Sequence, residues 1–229
     1  MTRRRLPQAG FTLIEVLITV TVVSIGLLAV AGLQALAKKA NYDAIQRSTA
    51  AALGQSIIER IRANPTQSAV YGSYSSGING STGLSASSCN PSPNAVLSAT
   101  ATAACAPAQT AAADLYAWSQ ELFGAAESVP ANGTVAADTN LGGLQNATGC
   151  ISVSQCGALK IYTVAIAWRG LTPVAASGTD ATDPSSNSCG SSDTTYQPPI
   201  TVASTLTMRR VLVLQAAILD PSLGSQPPC

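Results

Sequence analysis

One stretch constrains this chain more than any other. From Phe11 to Ala37 every residue is apolar or small except Thr12, Glu15, Thr19, Thr21, Ser24 and Gln34. At about 1.5 Å per residue, these roughly 27 residues make about 40 Å of helix, enough to cross a hydrocarbon core of about 30 Å with some tilt. Arg3, Arg4 and Arg5 precede the run, and Lys38 and Lys39 close it, so the positive-inside rule gives only a modest orientation signal. The cysteines decide the orientation. Cys89, Cys105, Cys150, Cys156, Cys189 and Cys229 all lie on the C-terminal side, in sequence rich in Ser, Thr, Gly and Ala. An even number of cysteines there reads as disulfides in an oxidising compartment, which leaves the N-terminus starting in the cytoplasm.

An ordinary secretory signal places a short apolar stretch before its small-residue cleavage site, whereas here Gly10 precedes the apolar run. Cleavage after Gly10 removes residues 1–10 as a leader and leaves the whole helix on a mature chain that starts at Phe11. Losing Arg3, Arg4 and Arg5 takes the formal side-chain charge from +1 to −2. Glu15 is the most informative residue of the run. A carboxylate inside a membrane helix costs roughly 2.5–3.5 kcal/mol on insertion scales, so it has a partner or a function, unless it merely snorkels to the interface. The new amine at Phe11 is a cation in need of a counter-charge in lipid, and Glu15 of an adjacent subunit could supply it.

The string Gly10-Phe11-Thr12-Leu13-Ile14-Glu15-Val16-Leu17 resembles the type III signal of type IV prepilins and type II secretion pseudopilins, in which prepilin peptidase cuts after the Gly and methylates the Phe. Its continuation from Ser24 to Gln34 is similar in particular to the type IV pilus modification minor pilins, the PilV family. The resemblance implies that Gly10 is the cleavage residue, Phe11 the N-methylated terminus and Glu15 the assembly carboxylate. One departure is Gly32, where major pilins carry Pro. Gly26 and Gly32 still weaken the helix, each by about 1 kcal/mol relative to Ala.

Beyond Lys39 a stripe of Ile45, Thr49, Leu53, Ile57 and Ile61 predicts that the helix continues, and Asn64-Pro65 predicts its end. The expected divisions are a leader at 1–10, a transmembrane or fibre-core half at 11–37, an amphipathic half at 38–64 and a globular head at 65–229. Residues 66–104, dominated by small polar residues, read as a long surface loop anchored by Tyr71 and Tyr74. Cys105-Ala106-Pro107 opens a second helix with Ala111, Leu115, Trp118 and Leu122 on one face. The run from Cys105 to Trp118 resembles an element of the same minor pilins. Residues 151–154 and 159–168 predict a hairpin turning near Gly157, and 200–207 and 208–219 are further β-like segments, the latter with helical composition as an alternative. The fold class expected is α+β and type IV pilin-like: a long N-terminal helix packed on a small antiparallel sheet, loop-rich and disulfide-stabilised.

Cysteine spacing leaves many connectivities open. The loop-local one joins Cys89 to Cys105, Cys150 to Cys156 and Cys189 to Cys229. With no His in the chain, catalytic triads, Cys-His dyads and His-containing zinc sites are excluded, so no catalytic residue, cofactor or metal is expected. Asp114 then reads as a solvated or capping residue. Asp180, Asp183 and Asp193 lack EF-hand spacing for calcium. The sequons at Asn79, Asn132 and Asn146 read as chance matches. Near-balanced charge and the lack of a basic, aromatic-lined stretch argue against nucleic acid as the main partner. The function these features favour is a minor pilin acting in pilus assembly, twitching motility or adhesion. Its expected partners are other minor and major pilins, prepilin peptidase, the inner-membrane assembly platform and inner-membrane lipid. It would sit as a single-pass inner-membrane protein with a periplasmic head, then in the extracellular fibre of a Gram-negative bacterium. The rivals are a type II secretion pseudopilin, a pilus-tip adhesin or binding module, and a membrane-tethered enzyme, the last left without a base or a metal set.

Overall fold

The computed structural model describes residues 10–80, 82, 84, 89, 105–125, 128–129, 139–140, 142–175, 186–198 and 206–224. The chain divides into two compact units, Met1–Ala44 and Ile45–Cys229. Helix α1, Leu13–Ala63, runs from the first into the second.

Within the first unit, residues 10–41 are exposed throughout. The hydroxyls embedded in this apolar run bond to its own backbone: Thr19 Oγ1 donates to Val16 O at 2.9 Å, Thr21 Oγ1 to Ile18 O at 2.8 Å, and Ser24 Oγ to Val20 O at 2.7 Å. Hydroxyls satisfied in this way are tolerated in lipid, and Glu15 remains the charged group of the run.

The second unit begins with the remainder of α1, followed by a short 3-10 turn at Pro65–Gln67, α2 at Ser68–Gly72 and α3 at Pro107–Phe123. Then come β1 at Ser128–Val129 and β2 at Thr139–Asn140, which pair with each other, and β3 at Thr148–Cys156, β4 at Leu159–Ala175 and β5 at Leu206–Leu219. The last three form an antiparallel sheet in the order β3-β4-β5. Gly157 takes φ of 61° in the two-residue turn between β3 and β4, a conformation that favours glycine. Residues 206–219 form one continuous strand, so the helical alternative for 208–219 is excluded. The expected strand at 200–207 lies mostly outside the described residues.

One face of the sheet packs on helices. Ile57 and Ile61 of α1, Leu115, Trp118 and Leu122 of α3, Tyr71 of α2, and Tyr162, Val164 and Ile166 of β4 are buried in one cluster. Trp118 Nε1 donates to Leu53 O at 2.9 Å, which ties α3 to α1. At Gly54 an added Cβ would lie 2.5 Å from Leu214 Cδ1, so the missing side chain is what lets this part of α1 approach β5. The α1 stripe is corrected here. Ile45 is exposed, and the buried positions are Gln46, Ala50, Gly54, Ile57, Ile58 and Ile61. Steps of four overshoot a 3.6-residue turn by about 40° each, so Ile45 has rotated away from the face that Ile61 occupies. Residues 66–80 are also more ordered than a surface loop: Tyr71 is fully buried, and Ile78 bridges to Gly149.

The other face of the sheet carries a second cluster of Cys150, Ala165, Ala167, Val211, Cys189 and Tyr196, the last two contributed by residues 186–198. Cys89 bonds to Cys105, and Cys150 bonds to Cys189 rather than to Cys156. The expected Cys150–Cys156 pair is geometrically excluded. Both residues lie on β3, and a rise of about 3.3 Å per residue separates them by roughly 20 Å, far beyond the ~7 Å limit for a disulfide. Cys156 is also disulfide-bonded, and Cys229 lies outside the described residues, so the expected Cys189–Cys229 pair is overturned.

Candidate functional site

The residues singled out at the N-terminus fall where the helix begins. Gly10, Phe11 and Thr12 precede α1, and Thr12 O accepts the N–H groups of Glu15 at 3.1 Å and of Val16 at 3.3 Å. Thr12 Oγ1 faces the Glu15 N–H at 3.4 Å. Thr12 therefore occupies the cap position and Glu15 the third helical position. The Thr-x-x-Glu spacing is that of a capping box, a signal already present in the sequence. The carboxylate lies in the first turn of α1, where the helix dipole favours negative charge by about 0.3–1 kcal/mol. Phe11 is 83% exposed.

Asp114 has a structural role. The Tyr71 hydroxyl donates to its Oδ2 at 2.7 Å, and Arg60 Nη1 lies 3.6 Å from its Oδ1. Arg60 also reaches Glu121 of α3, whose Oε2 accepts from Ser56 Oγ at 3.2 Å. The expectation of a solvated or capping Asp is thus corrected: this carboxylate links α1, α2 and α3. Burial, followed by the hydrogen bond to Asp114, holds the Tyr71 phenol well above its ordinary value. Burial likewise pushes Tyr162 and Tyr196 up to about 12.

Residues 186–198 are held by more than the disulfide. Arg209 Nη1 donates to Cys189 O at 2.6 Å, Arg169 Nη1 donates to Thr195 O, and the Tyr196 hydroxyl donates to Asn146 O at 2.6 Å. Thr148 of the Asn146 sequon is buried against Tyr196. Asp193 accepts from the Thr195 N–H at 2.9 Å, while Asp180 and Asp183 lie outside the described residues. Among the described residues, no three His, Cys, Asp or Glu side chains are gathered as a metal site would need.

The comparisons with known proteins bear on the same N-terminal half. Residues 32–116 match the family described as type IV pilin Tt1218, and residues 5–31 match the prokaryotic N-terminal methylation motif. The chain is thus similar to type IV pilins over residues 32–116 and carries the N-terminal methylation motif ahead of that stretch. The methylation motif spans Gly10, Phe11 and Glu15, and the pilin match runs from Gly32 through the amphipathic part of α1 to Tyr116 in α3. The pilin family is one of structural subunits and not of enzymes. No curated protein and no solved structure gives a significant match.

Proposed function

We infer that this pilin is a minor subunit of a type IV pilus that takes part in assembly and initiation. Prepilin peptidase would cut after Gly10 and methylate Phe11. The observation that carries the reading is the start of α1: an exposed apolar helix begins two residues beyond the cut, with Glu15 as the acid of its first turn. In lipid or in a fibre core that carboxylate needs a cation, and the amine of a neighbouring subunit's Phe11 provides one. Residues 11–37 would serve as the membrane anchor and later as fibre core, 38–64 as the amphipathic half, and 65–229 as the displayed head. Before assembly the chain would sit in the inner membrane of a Gram-negative cell and engage the assembly platform; afterwards its neighbours would be minor and major pilins.

The PilV-type reading is supported by Ser24 to Gln34 and by the Cys105 to Trp118 element, whose Ala111, Leu115 and Trp118 face the core. A type II secretion pseudopilin and a tip adhesin share the architecture. Replacing Glu15 by Ala tests the assembly role: leader cleavage should persist while the chain disappears from sheared fibres, and unchanged incorporation would refute the charge pairing.

A further inference from the structure

Two disulfides of the head differ in how the chain reaches them. Cys89 and Cys105 are consecutive cysteines, with a sequence separation of 16. Cys150 instead bonds to Cys189 at a separation of 39 and passes over Cys156, which lies only six positions away. For a flexible chain, loop-closure entropy favours the nearer pairing by roughly 15-fold. Cys156 is therefore the sulfur that Cys150 meets first whenever the segment is oxidised before it folds.

The native juxtaposition needs most of the head in place. Cys150 sits near the start of β3, opposite Ala165 of β4. Cys189 is held over it by Arg209 of β5, whose Nη1 donates to Cys189 O at 2.6 Å, and by Tyr196, whose hydroxyl donates to Asn146 O at 2.6 Å. Strand β5 follows Cys189 in the chain and pairs along β4, so the contact that brings Cys189 to Cys150 forms once this last long strand has docked. A Cys150–Cys156 bond needs none of this. It also prevents it: β3 extends the same residues over roughly 20 Å, whereas disulfide-linked Cα atoms lie within about 7 Å. Ile151, fully buried in the native core, would be caught inside that short loop.

We propose that the head matures through a Cys150–Cys156 mispair and is a substrate for a thiol–disulfide isomerase, a role that rests on the head being sent to an oxidising compartment. A thiolate of the isomerase attacks Cys150 Sγ, forming a mixed disulfide and releasing Cys156 as a thiolate. The Cys189 thiolate then attacks the same Sγ and releases the isomerase thiolate, while the proton lost by Cys189 is taken up by Cys156. One bond breaks and one forms within the chain, so this exchange consumes no oxidant or reductant. Cys156 is disulfide-bonded in the folded head, so its thiol is reoxidised afterwards by a disulfide donor such as oxidised glutathione, which is itself reduced to the thiol. Cys89–Cys105, formed between consecutive residues, requires no such exchange.

The test refolds the reduced full-length chain in detergent micelles with a glutathione redox couple, with and without a catalytic amount of a disulfide isomerase. Samples quenched with an alkylating agent are mapped without reduction, and thermolysin, which cleaves before Ile151 and Val153, separates Cys150 from Cys156. Without isomerase, Cys150–Cys156 should appear as early as Cys89–Cys105, and Cys150–Cys189 should lag both by at least about fivefold in time. The isomerase should shorten that lag and leave the rate of Cys89–Cys105 unchanged. In Cys156→Ala the Cys150–Cys189 bond should form directly, at a rate that the isomerase changes by less than about twofold. The wild-type time course decides by itself if that variant does not fold. The proposal is overturned if Cys150–Cys189 forms with no earlier Cys150–Cys156 species, if the isomerase accelerates both native bonds alike, or if folded Cys156→Ala keeps the lag. Bond formation in the isolated chain is independent of cleavage at Gly10 and of entry into fibres, so its failure leaves the pilin reading standing.

Discussion

The Tyr71 hydroxyl donates to Asp114 at 2.7 Å while Arg60 approaches the same carboxylate at 3.6 Å, so one acid holds three helical segments together. Asp114→Ala leaves a buried hydroxyl without that acceptor and should destabilise the head by about 2–3 kcal/mol. Tyr71→Phe removes donor and demand together and should cost about 1 kcal/mol. Chemical denaturation of the two variants gives the ordering.

The buried phenols predict the alkaline behaviour. Tyr162 and Tyr196 are pushed up to about 12, and Tyr71 is raised as well. For a folded pKa above the unfolded value near 10, the stabilisation is complete below about pH 10 and is lost as pH rises through the folded value. Stability measured against pH should be flat toward pH 10 and then fall, with the tyrosinate absorbance of these three phenols appearing together with unfolding.

Gly54 tests the contact between α1 and β5. Its substitution by Ala gains about 1 kcal/mol of helix propensity, which offsets the displacement of the Leu214 side-chain tip. Gly54→Val adds bulk and χ1 restriction with no such offset and should cost about 1–3 kcal/mol. A thermal melt of the two variants checks the contrast.

Cys150–Cys189 closes a loop with a sequence separation of 39. Replacing both residues by Ser should destabilise the head by about 4 kcal/mol in the chain-entropy view and make residues 186–198 protease-sensitive. Non-reducing peptide mapping should recover Cys150 linked to Cys189 and Cys89 linked to Cys105.

Much of this architecture is legible in local pattern, because local pattern is where the physics is local. The long helix is marked by unbroken apolarity and a Pro stop. In α3, Ala111, Leu115, Trp118 and Leu122 share a face at helical spacing, and all are buried. The alternation of Tyr162, Val164, Ile166 and Trp168 gives the central strand its core face.

What was illegible depended on distant partners. Nothing nearby in sequence announces that residues 186–198 cover Ala165 and Ala167 of β4. Cys150 finds its partner across that cover, a choice made by sheet geometry and not by loop length. Asp114 looked solvated because Tyr71 lies 43 residues away. At the candidate site, Glu15 is evident from its cost in lipid, whereas the role of Thr12 lies in the backbone N–H groups at the helix start, which the charge pattern does not mark.

The central claim is that this chain is cut after Gly10 and carried into a fibre on its methylated first residue. Mass spectrometry of sheared fibres tests it most directly. The account predicts a chain beginning at N-methylated Phe11. Finding the chain only in membranes with residues 1–10 still attached, in cells that process other prepilins, would contradict it.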